Sequence, residues 1–372
     1  MKSRLLLLPS LLLLNLPCWG QLPRTTLNTI YPPGGQQGAV LEVTLTGKEI
    51  DDAKALVFTH DGIQGEPLKN DAGAVQPGKY KVRIAKNVPP GLYEAQLTGG
   101  RFGGSNMATF VVGALPAVLA PAGNDSMDKA FAMEQDTTVT SKTTARKYSY
   151  FKFTAKKGQK LLVHCAAEEI DSSLAPVVNI LDAQGNELAS EARTGILDFA
   201  PAADGEYYVK VFDFLYGGSD LHYFQLTLSE RPHIDFIEPP IGKPGTKARY
   251  TLYGRNLPGG QPSALKLPNG RQLDKLEVEI HLPANAEDKD PAQLLGKVGP
   301  REMVLAATQY RLDSPKGPSN TILIGLSNEK VITETHEPND KPAQAQNIEV
   351  PCEFVGKFFP YSDKDYLQFQ AK

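Results

Sequence analysis

Two-residue alternation of apolar and polar positions runs through most of this chain. Residues 40–45 (VLEVTL) put Leu41, Val43 and Leu45 on one face and Val40, Glu42 and Thr44 on the other, as in a strand buried on one side. Residues 80–84 (YKVRI), 92–97 (LYEAQL), 148–154 (YSYFKFT), 207–211 (YYVKV) and 223–228 (YFQLTL) read the same way. Turn signals separate them, among them Pro89-Pro90-Gly91, Lys156-Lys157-Gly158-Gln159 and the hairpin signal at residues 182–186. The one stretch with helical spacing is residues 126–135, where Met127, Ala130, Phe131 and Met133 predict a helix of one or two turns. The pattern predicts an all-β protein.

The strands fall into blocks of sandwich size, and one block is repeated. Residues 29–47 (TIYPPGGQQGAVLEVTLTG) return as residues 236–254 (FIEPPIGKPGTKARYTLYG). Pro32 and Pro33 recur as Pro239 and Pro240, Gly38 as Gly245, Thr44 as Thr251 and Gly47 as Gly254, all at one offset. Gly317-Pro318-Ser319-Asn320 likewise echoes Gly104-Ser105-Asn106. The predicted organisation is residues 22–113, 125–230 and 232–330 as three tandem β-sandwiches, with 335–372 as the opening strands of a fourth. An Ala/Pro/Gly-rich connector covers residues 115–124, and a charged insertion at residues 285–293 is expected to be a surface loop. In the last block Tyr366 stands where Tyr150 stands earlier and Phe369 where Phe153 does, so its core is expected to be completed by further sequence.

Composition agrees with this picture. Glycine (33) and proline (29) are frequent, and both penalise helix interiors. A content of 41% hydrophobic and 22% charged residues is that of a folded chain. The net charge of −3, with no run of Lys or Arg, excludes the basic footprint that nucleic acid requires. Lys2, Arg4, the leucine-rich residues 5–16 and Cys18-Trp19-Gly20 predict a signal peptide, residues 1–20, cleaved before Gln21. Its core is short for the ~20 residues of a membrane span, and no other stretch could form one. The rival is a lipoprotein signal with the lipid on Cys18, against which Asn15 occupies a position that is usually aliphatic. The protein is therefore expected to be exported: periplasmic, cell-surface or secreted. Cys165 and Cys352 then remain, in different blocks, and are expected to be two buried thiols rather than a disulfide.

Two resemblances follow from these motifs. The P-P-x-G-x-x-G opening, V-T-L-x-G strand, P-P-G-x-Y turn and closing S-N-x-x-x-F-x-V strand of the first block resemble the IPT/TIG immunoglobulin-like domain of bacterial exported proteins. In the second block Y-F-x-F-x-A-x-x-G, L-x-D-x-x-G-x-x-L, D-G-x-Y-Y-V-x-V and Y-x-L-x-L follow one another. That order is similar to the pre-peptidase C-terminal (PPC) domain, a jelly-roll-like sandwich related to the collagen-binding modules of clostridial collagenases. The resemblances imply alternating Ig-like and jelly-roll-like modules. They do not imply that this chain cuts peptide bonds.

Candidate chemistry is sparse. Glu337-Pro338-Asn339-Asp340 followed by Asp363 and Asp365 could supply several of the six to eight oxygens that Ca2+ takes. The PPC resemblance implies that this segment and the D-x-D-Y strand resemble the surroundings of bound calcium. The metal candidates are thus Glu337, Asn339, Asp340, Asp363 and Asp365. In the second block Asn124-Asp125 survives, but Lys147 and Ser149 replace the two aspartates, so no ion is expected there. His60, His164, His222, His233, His281 and His336 form no HExxH or zinc spacing, and Gly217-Gly218-Ser219-Asp220 reads as a turn. Tyr148, Tyr150, Tyr207, Tyr208, Phe212, Phe214, Tyr216, Tyr223 and Phe224 are too many for one face to bury. Most are expected in the core, with the rest able to meet a polysaccharide or a matrix-like, collagen-like protein. The sequence thus favours a non-catalytic binding, adhesion or spacer protein. The alternative is a set of ancillary domains of a secreted peptidase whose catalytic domain lies outside this sequence.

Overall fold

The computed structural model describes residues 23–192, 194–267, 270–284, 306–335, 337–357 and 363–371. The expected signal peptide, Cys18, His336 and the charged 285–293 insertion lie outside the described residues. The described chain is all-β, with short 3-10 turns as its helical elements.

In the first module one curled sheet orders its strands Thr26–Tyr31, Val40–Lys48, Val75–Ile84, Ile63–Lys69, Ala55–Phe58, Gly91–Thr98, Ala108–Gly113 and Gly34–Gln36. It closes on a core that includes Ile30, Val43, Leu45, Val82, Leu97 and Phe110. Val43 and Leu45 point inward and Val40 outward, as the alternation requires.

The third module repeats this frame as two sheets. His233–Glu238, Lys247–Arg255, Gln272–His281 and Gln261–Lys266 form one; Ile241–Gly242, Ile322–Leu326 and Ala307–Tyr310 form the other. Ile237, Tyr250, Leu252, Leu282 and Ile324 lie between them.

The repeat has a backbone cause. The first strand of each module bulges, between Leu27 and Thr29 and between Ile234 and Phe236. Beside the bulge a Cβ on Gly47 would lie 2.0 Å from the Thr26 carbonyl oxygen, and one on Gly254 would lie 2.0 Å from that of His233. Only glycine fits there. The residue just before the bulge is then held by a clasp. Asn106 Oδ1 accepts from the Leu27 amide at 2.9 Å while its Nδ2 donates to the Leu27 carbonyl at 2.8 Å. Asn320 does the same to Ile234 at 2.7 and 2.9 Å. The recurrent Ser-Asn pair is therefore a structural clasp. Asn320→Ala is expected to lower the stability of the third module by about 1–3 kcal/mol, because a buried amide and carbonyl lose their partner. Urea denaturation checks this, and Asn320→Asp, which keeps the acceptor and loses the donor, should fall between.

The second module is a sandwich of two five-stranded sheets. Phe131–Ala132, Ser149–Ala155, Gly205–Asp213, Pro176–Leu181 and Glu187–Ala192 face Ile196–Phe199, Leu161–Ala166, Tyr223–Ser229, Thr137–Lys142 and Ala117–Leu119. Phe151, Phe153, Val163, Val178, Val209, Phe224 and Leu226 fill the space between. Two expectations are corrected. The 115–124 connector contributes Ala117–Leu119, an edge strand parallel to Thr137–Lys142. The predicted helix at 126–135 is a single 3-10 turn, Met127–Lys129, followed by the strand Phe131–Ala132, which runs parallel to Ser149–Ala155. So short an apolar run cannot nucleate a helix, and burying Met133 in the sandwich core satisfies it better.

The last segment reproduces that opening. Lys330–Thr333 runs parallel to Cys352–Val355, and Gln346–Asn347 parallel to Leu367–Gln368, with a 3-10 turn at Pro342–Gln344. Each feature has a counterpart in the first strands of the second module.

The modules are joined by buried contacts. Ala166, Ile170 and Tyr223 of the second pack on Tyr31, Leu92 and Val111 of the first, and the Thr109 amide donates to Asp171 Oδ2 at 2.7 Å. Arg255 of the third module is 6% exposed at the junction with the second. Its Nη1 donates to the Ile196 carbonyl at 3.1 Å, its Nη2 lies 3.1 Å from Asp235, and Asp198 of the second module approaches its Nε at 3.7 Å. Arg311 of the third donates to the Pro90 carbonyl of the first.

Candidate functional sites

The last segment gathers three of the five predicted metal candidates and adds one that the sequence did not single out. Oxygens of Glu334, Glu337 and Asp365 all lie within 4.8 Å of one another. Oxygens around a shared Ca2+ at ~2.4 Å can be at most about twice that distance apart. Asn339 stands among them at 0% exposure, its Nδ2 donating to Glu334 Oε1 at 2.7 Å and its backbone amide to Glu337 Oε2 at 3.2 Å. Asn339 Oδ1 and Asp365 Oδ1 are buried with no hydrogen-bond donor among the described residues. Two orphaned oxygens and converging carboxylates fit a hard cation. Burial, a hydrogen bond with Glu334 and the charges of Glu334 and Asp363 push the Asp365 carboxyl above the usual carboxylate range.

Asp340 and Asp363 stand aside from this trio. Asp340 Oδ1 accepts from the Lys364 amide at 3.3 Å and Asp363 Oδ1 from the same amide at 2.9 Å. Their role in the fold is to shape the turn into the Leu367–Gln368 strand. Glu334 was missed because it precedes the expected start of the block at residue 335. Its counterpart in the second module is Leu119, which carries no charge to flag the position.

The second module carries the same frame with different charges at these positions. The Tyr150 amide donates to the Asn124 carbonyl at 2.8 Å, as the Tyr366 amide does to that of Asn339 at 3.2 Å. Where the last segment has Asp363, Lys147 places its Nζ 2.6 Å from Asp125 Oδ2, and this bond with the lysine charge holds the Asp125 carboxyl below its ordinary range. The ammonium is a built-in cation. The last segment has no such lysine and concentrates carboxylates instead.

The aromatic residues divide. Tyr207 and Phe224 are buried in the sandwich core, as expected, whereas Tyr208 and Tyr223 are buried outside it. Tyr148, Tyr150, Phe212 and Tyr216 form a cluster on the outer face of the second module. Phe212 and Tyr216 stack at 5.3 Å between centroids, Tyr148 meets Phe212 edge-on at 5.2 Å, and Lys210 Nζ lies 5.3 Å from the Tyr148 centroid. Tyr148 is 36% and Tyr216 46% exposed, and beyond them Leu215 is 82% exposed. Beside the cluster a cleft of about 730 Å³ is lined by Tyr148, Lys147, Asp125, Ser219 and Asp220.

Ser219 Oγ lies 2.9 Å from His222 Nδ1, but the Asp213 carboxylate that could complete a triad accepts from the Ala175, Leu215 and Gly217 amides. These bonds keep its pKa low despite burial. The Gly217-Gly218-Ser219-Asp220 segment is a turn, as the sequence indicated. His164 pairs with Glu169 at 3.0 Å beneath the third module. Cys165 is buried and Cys352 half-buried, both free, and burial pushes the Cys165 thiol far above its usual range.

No known family and no curated protein matches the sequence. Among solved structures, the chain is similar to PliG of Aeromonas hydrophila, a periplasmic inhibitor of g-type lysozyme. The identity is 16% over 27% of this chain and 95% of that one, with a TM-score of 0.23. It is also similar to the pre-peptidase C-terminal domain of a Bacillus anthracis collagenase (14%, 27% and 93%, TM-score 0.22). A third similarity is to SGBP-B of the Bacteroides ovatus mixed-linkage glucan utilization locus, in complex with a mixed-linkage heptasaccharide (10%, 51% and 73%, TM-score 0.20). At these scores the functional reading rests on the chain's own residues.

Proposed function

We propose that this is an exported, non-catalytic binding protein whose second module holds a polysaccharide on the Tyr148–Phe212–Tyr216 cluster. The observation that carries the reading is the exposure of stacked rings beside a polar cleft. Ring faces take up the C–H faces of sugars, and the Lys147, Asp125, Ser219 and Asp220 groups in the adjoining cleft can bond to hydroxyls. The buried junctions support it too, because they hold the platform at a fixed orientation to the flanking modules. Calcium at Glu334, Glu337, Asn339 and Asp365 would fix the linker into the last segment in the same way, tying the chain after Lys330–Thr333 to the strand that holds Leu367.

Retention of the full mature chain on insoluble cell-wall and plant polysaccharides tests the platform. Wild-type protein is expected to be retained, and Tyr148→Ala/Tyr216→Ala to lose at least tenfold in affinity with unchanged thermal stability. Equal retention of the double variant, or retention on collagen in place of every polysaccharide, would overturn the polysaccharide assignment.

A further inference from the structure

The three modules meet around a cleft of about 300 Å³ that no part of the proposed function uses. Its floor is the outer face of the Tyr223–Ser229 strand. Phe224, Leu226 and Leu228 point into the sandwich core, so Gln225, Thr227 and Ser229 point into the cleft. Thr227 is satisfied by Thr138 at 3.1 Å. Gln225 is not. It is 6% exposed, and its carboxamide has no hydrogen-bond partner among the described residues. Its carboxamide opens into the cleft, where another molecule can bond to it.

The opposite side of the cleft carries Arg311 from the third module. Its Nη2 donates to the Pro90 carbonyl and its Nε to Thr321 Oγ1, with Tyr93 near the guanidinium, and Nη1 has no hydrogen-bond partner among the described residues. No carboxylate among the described residues comes within ion-pair distance of it. The other charges at the cleft are spoken for: Arg231 pairs with Asp136 at 3.2 Å and Glu169 with His164. A partly desolvated guanidinium facing a cavity without a counter-charge attracts an anion, and a carboxylate matches its planar fork. Leu92, Val111 and Ile170 supply apolar wall. The volume is at the small end of ligand sites, which cluster at domain junctions.

We propose that this junction cleft binds a small organic carboxylate that also carries an amide, of the size and chemistry of an N-acylated amino acid. Arg311 takes the carboxylate, Gln225 pairs with the amide, and the Leu92–Val111–Ile170 wall covers the short aliphatic part. Because all three modules contribute, the ligand also bridges them.

Calorimetric titration of the full mature chain at pH 7 tests this with N-acetyl-alanine, N-acetyl-alanyl-alanine and the neutral N-acetyl-alaninamide. At least one of the two acids is expected to bind saturably, with the neutral amide at least tenfold weaker. Arg311→Met should weaken the acids at least tenfold and leave the neutral amide unchanged, while Gln225→Leu should weaken all three. Gln225 makes no side-chain hydrogen bond to another module among the described residues, so Gln225→Leu remains decisive if Arg311→Met loosens the junction, which a melting curve of each variant would show. Absence of saturable heat with both acids at tens of millimolar, binding of the neutral amide as tight as that of the acids, or unaltered binding in Gln225→Leu would each overturn the assignment.

Discussion

Arg255→Ala is expected to destabilise the junction between the second and third modules by about 3–5 kcal/mol, the usual cost of removing one member of a buried ion cluster. Asp198 and Asp235 would be left facing each other without their shared cation. Asp198 would keep Arg271 at 2.9 Å, whereas Asp235 would keep no cation among the described residues. Burial, partly offset by Arg255 and reinforced by Asp198, already pushes the Asp235 carboxyl up to about 6. Burial also raises Asp198 against the pull of Arg271 and Arg255. A carboxyl with a raised folded pKa binds protons more readily in the folded state. Its contribution is therefore fully present below the unfolded value near 3.8 and lost as pH rises through about 6.

Without Arg255 that dependence should steepen, so the defect of Arg255→Ala should be largest at pH 7.5 and shrink toward pH 5. His233 works in the opposite direction. Burial and the neighbouring His164 hold its pKa at about 3, so it stays neutral and its stabilisation is lost as pH falls from about 6.5 toward that value. The Arg255 charge also helps to lower the His233 pKa, so Arg255→Ala is compared with its parent in a His233→Gln background to isolate the two aspartates. Urea denaturation at pH 7.5 and 5 measures both quantities. A loss under 1 kcal/mol at pH 7.5, or one that grows on acidification, would sink the ion-cluster account. Arg255→Met with Asp198→Asn and Asp235→Asn should recover much of the loss, because neutral groups need no cation.

The sandwiches and their repeat were legible because they rest on backbone requirements that leave a signature: alternation for the strands, and Gly47 and Gly254 for the bulge. Junctions leave no such signature. Alternation separates the inner from the outer face of a sandwich, but it does not say what covers the outer face. Gln225 and Thr227 therefore read as ordinary outward positions, although the neighbouring modules close over them. The aromatic residues show the same boundary. Phe224 alternates in phase with the core, whereas Tyr223, out of phase, is buried only because the first module supplies Tyr31 and Leu92 against it. In the metal candidate set, the segment and its chemistry were legible, but the assignment of individual carboxylates was not. A D-x-D-Y strand places Asp363 and Asp365 on one face, and only the turn at Lys364 decides which of them meets Glu334.

Calcium is expected to bind the full chain and to raise the stability of the last segment by about 2.7 kcal/mol when present at a hundred times its dissociation constant. The carboxylates of Glu334, Glu337 and Asp365 repel one another at their present spacing, and a divalent ion turns that repulsion into attraction. Asp365→Asn and Glu334→Gln should each weaken binding strongly by removing charge. Asn339→Ala should weaken it by removing the orphaned oxygen while leaving the charge unchanged, a distinction that simple counter-ion condensation would not make. Asp340→Asn and Asp363→Asn should have small effects, since neither belongs to the converging Glu334, Glu337 and Asp365 group. Magnesium should bind less well, because it demands a tighter octahedral shell. The second module provides the internal control. Lys147→Ala removes its built-in cation, yet Leu119 and Ala122 stand where Glu334 and Glu337 do, so the variant should gain no calcium site. Calorimetry gives the affinities and thermal melting the stabilisation. No heat at millimolar calcium, or binding that survives Asp365→Asn unchanged, would remove the ion from this frame and leave Asn339 and Asp365 with oxygens that nothing satisfies.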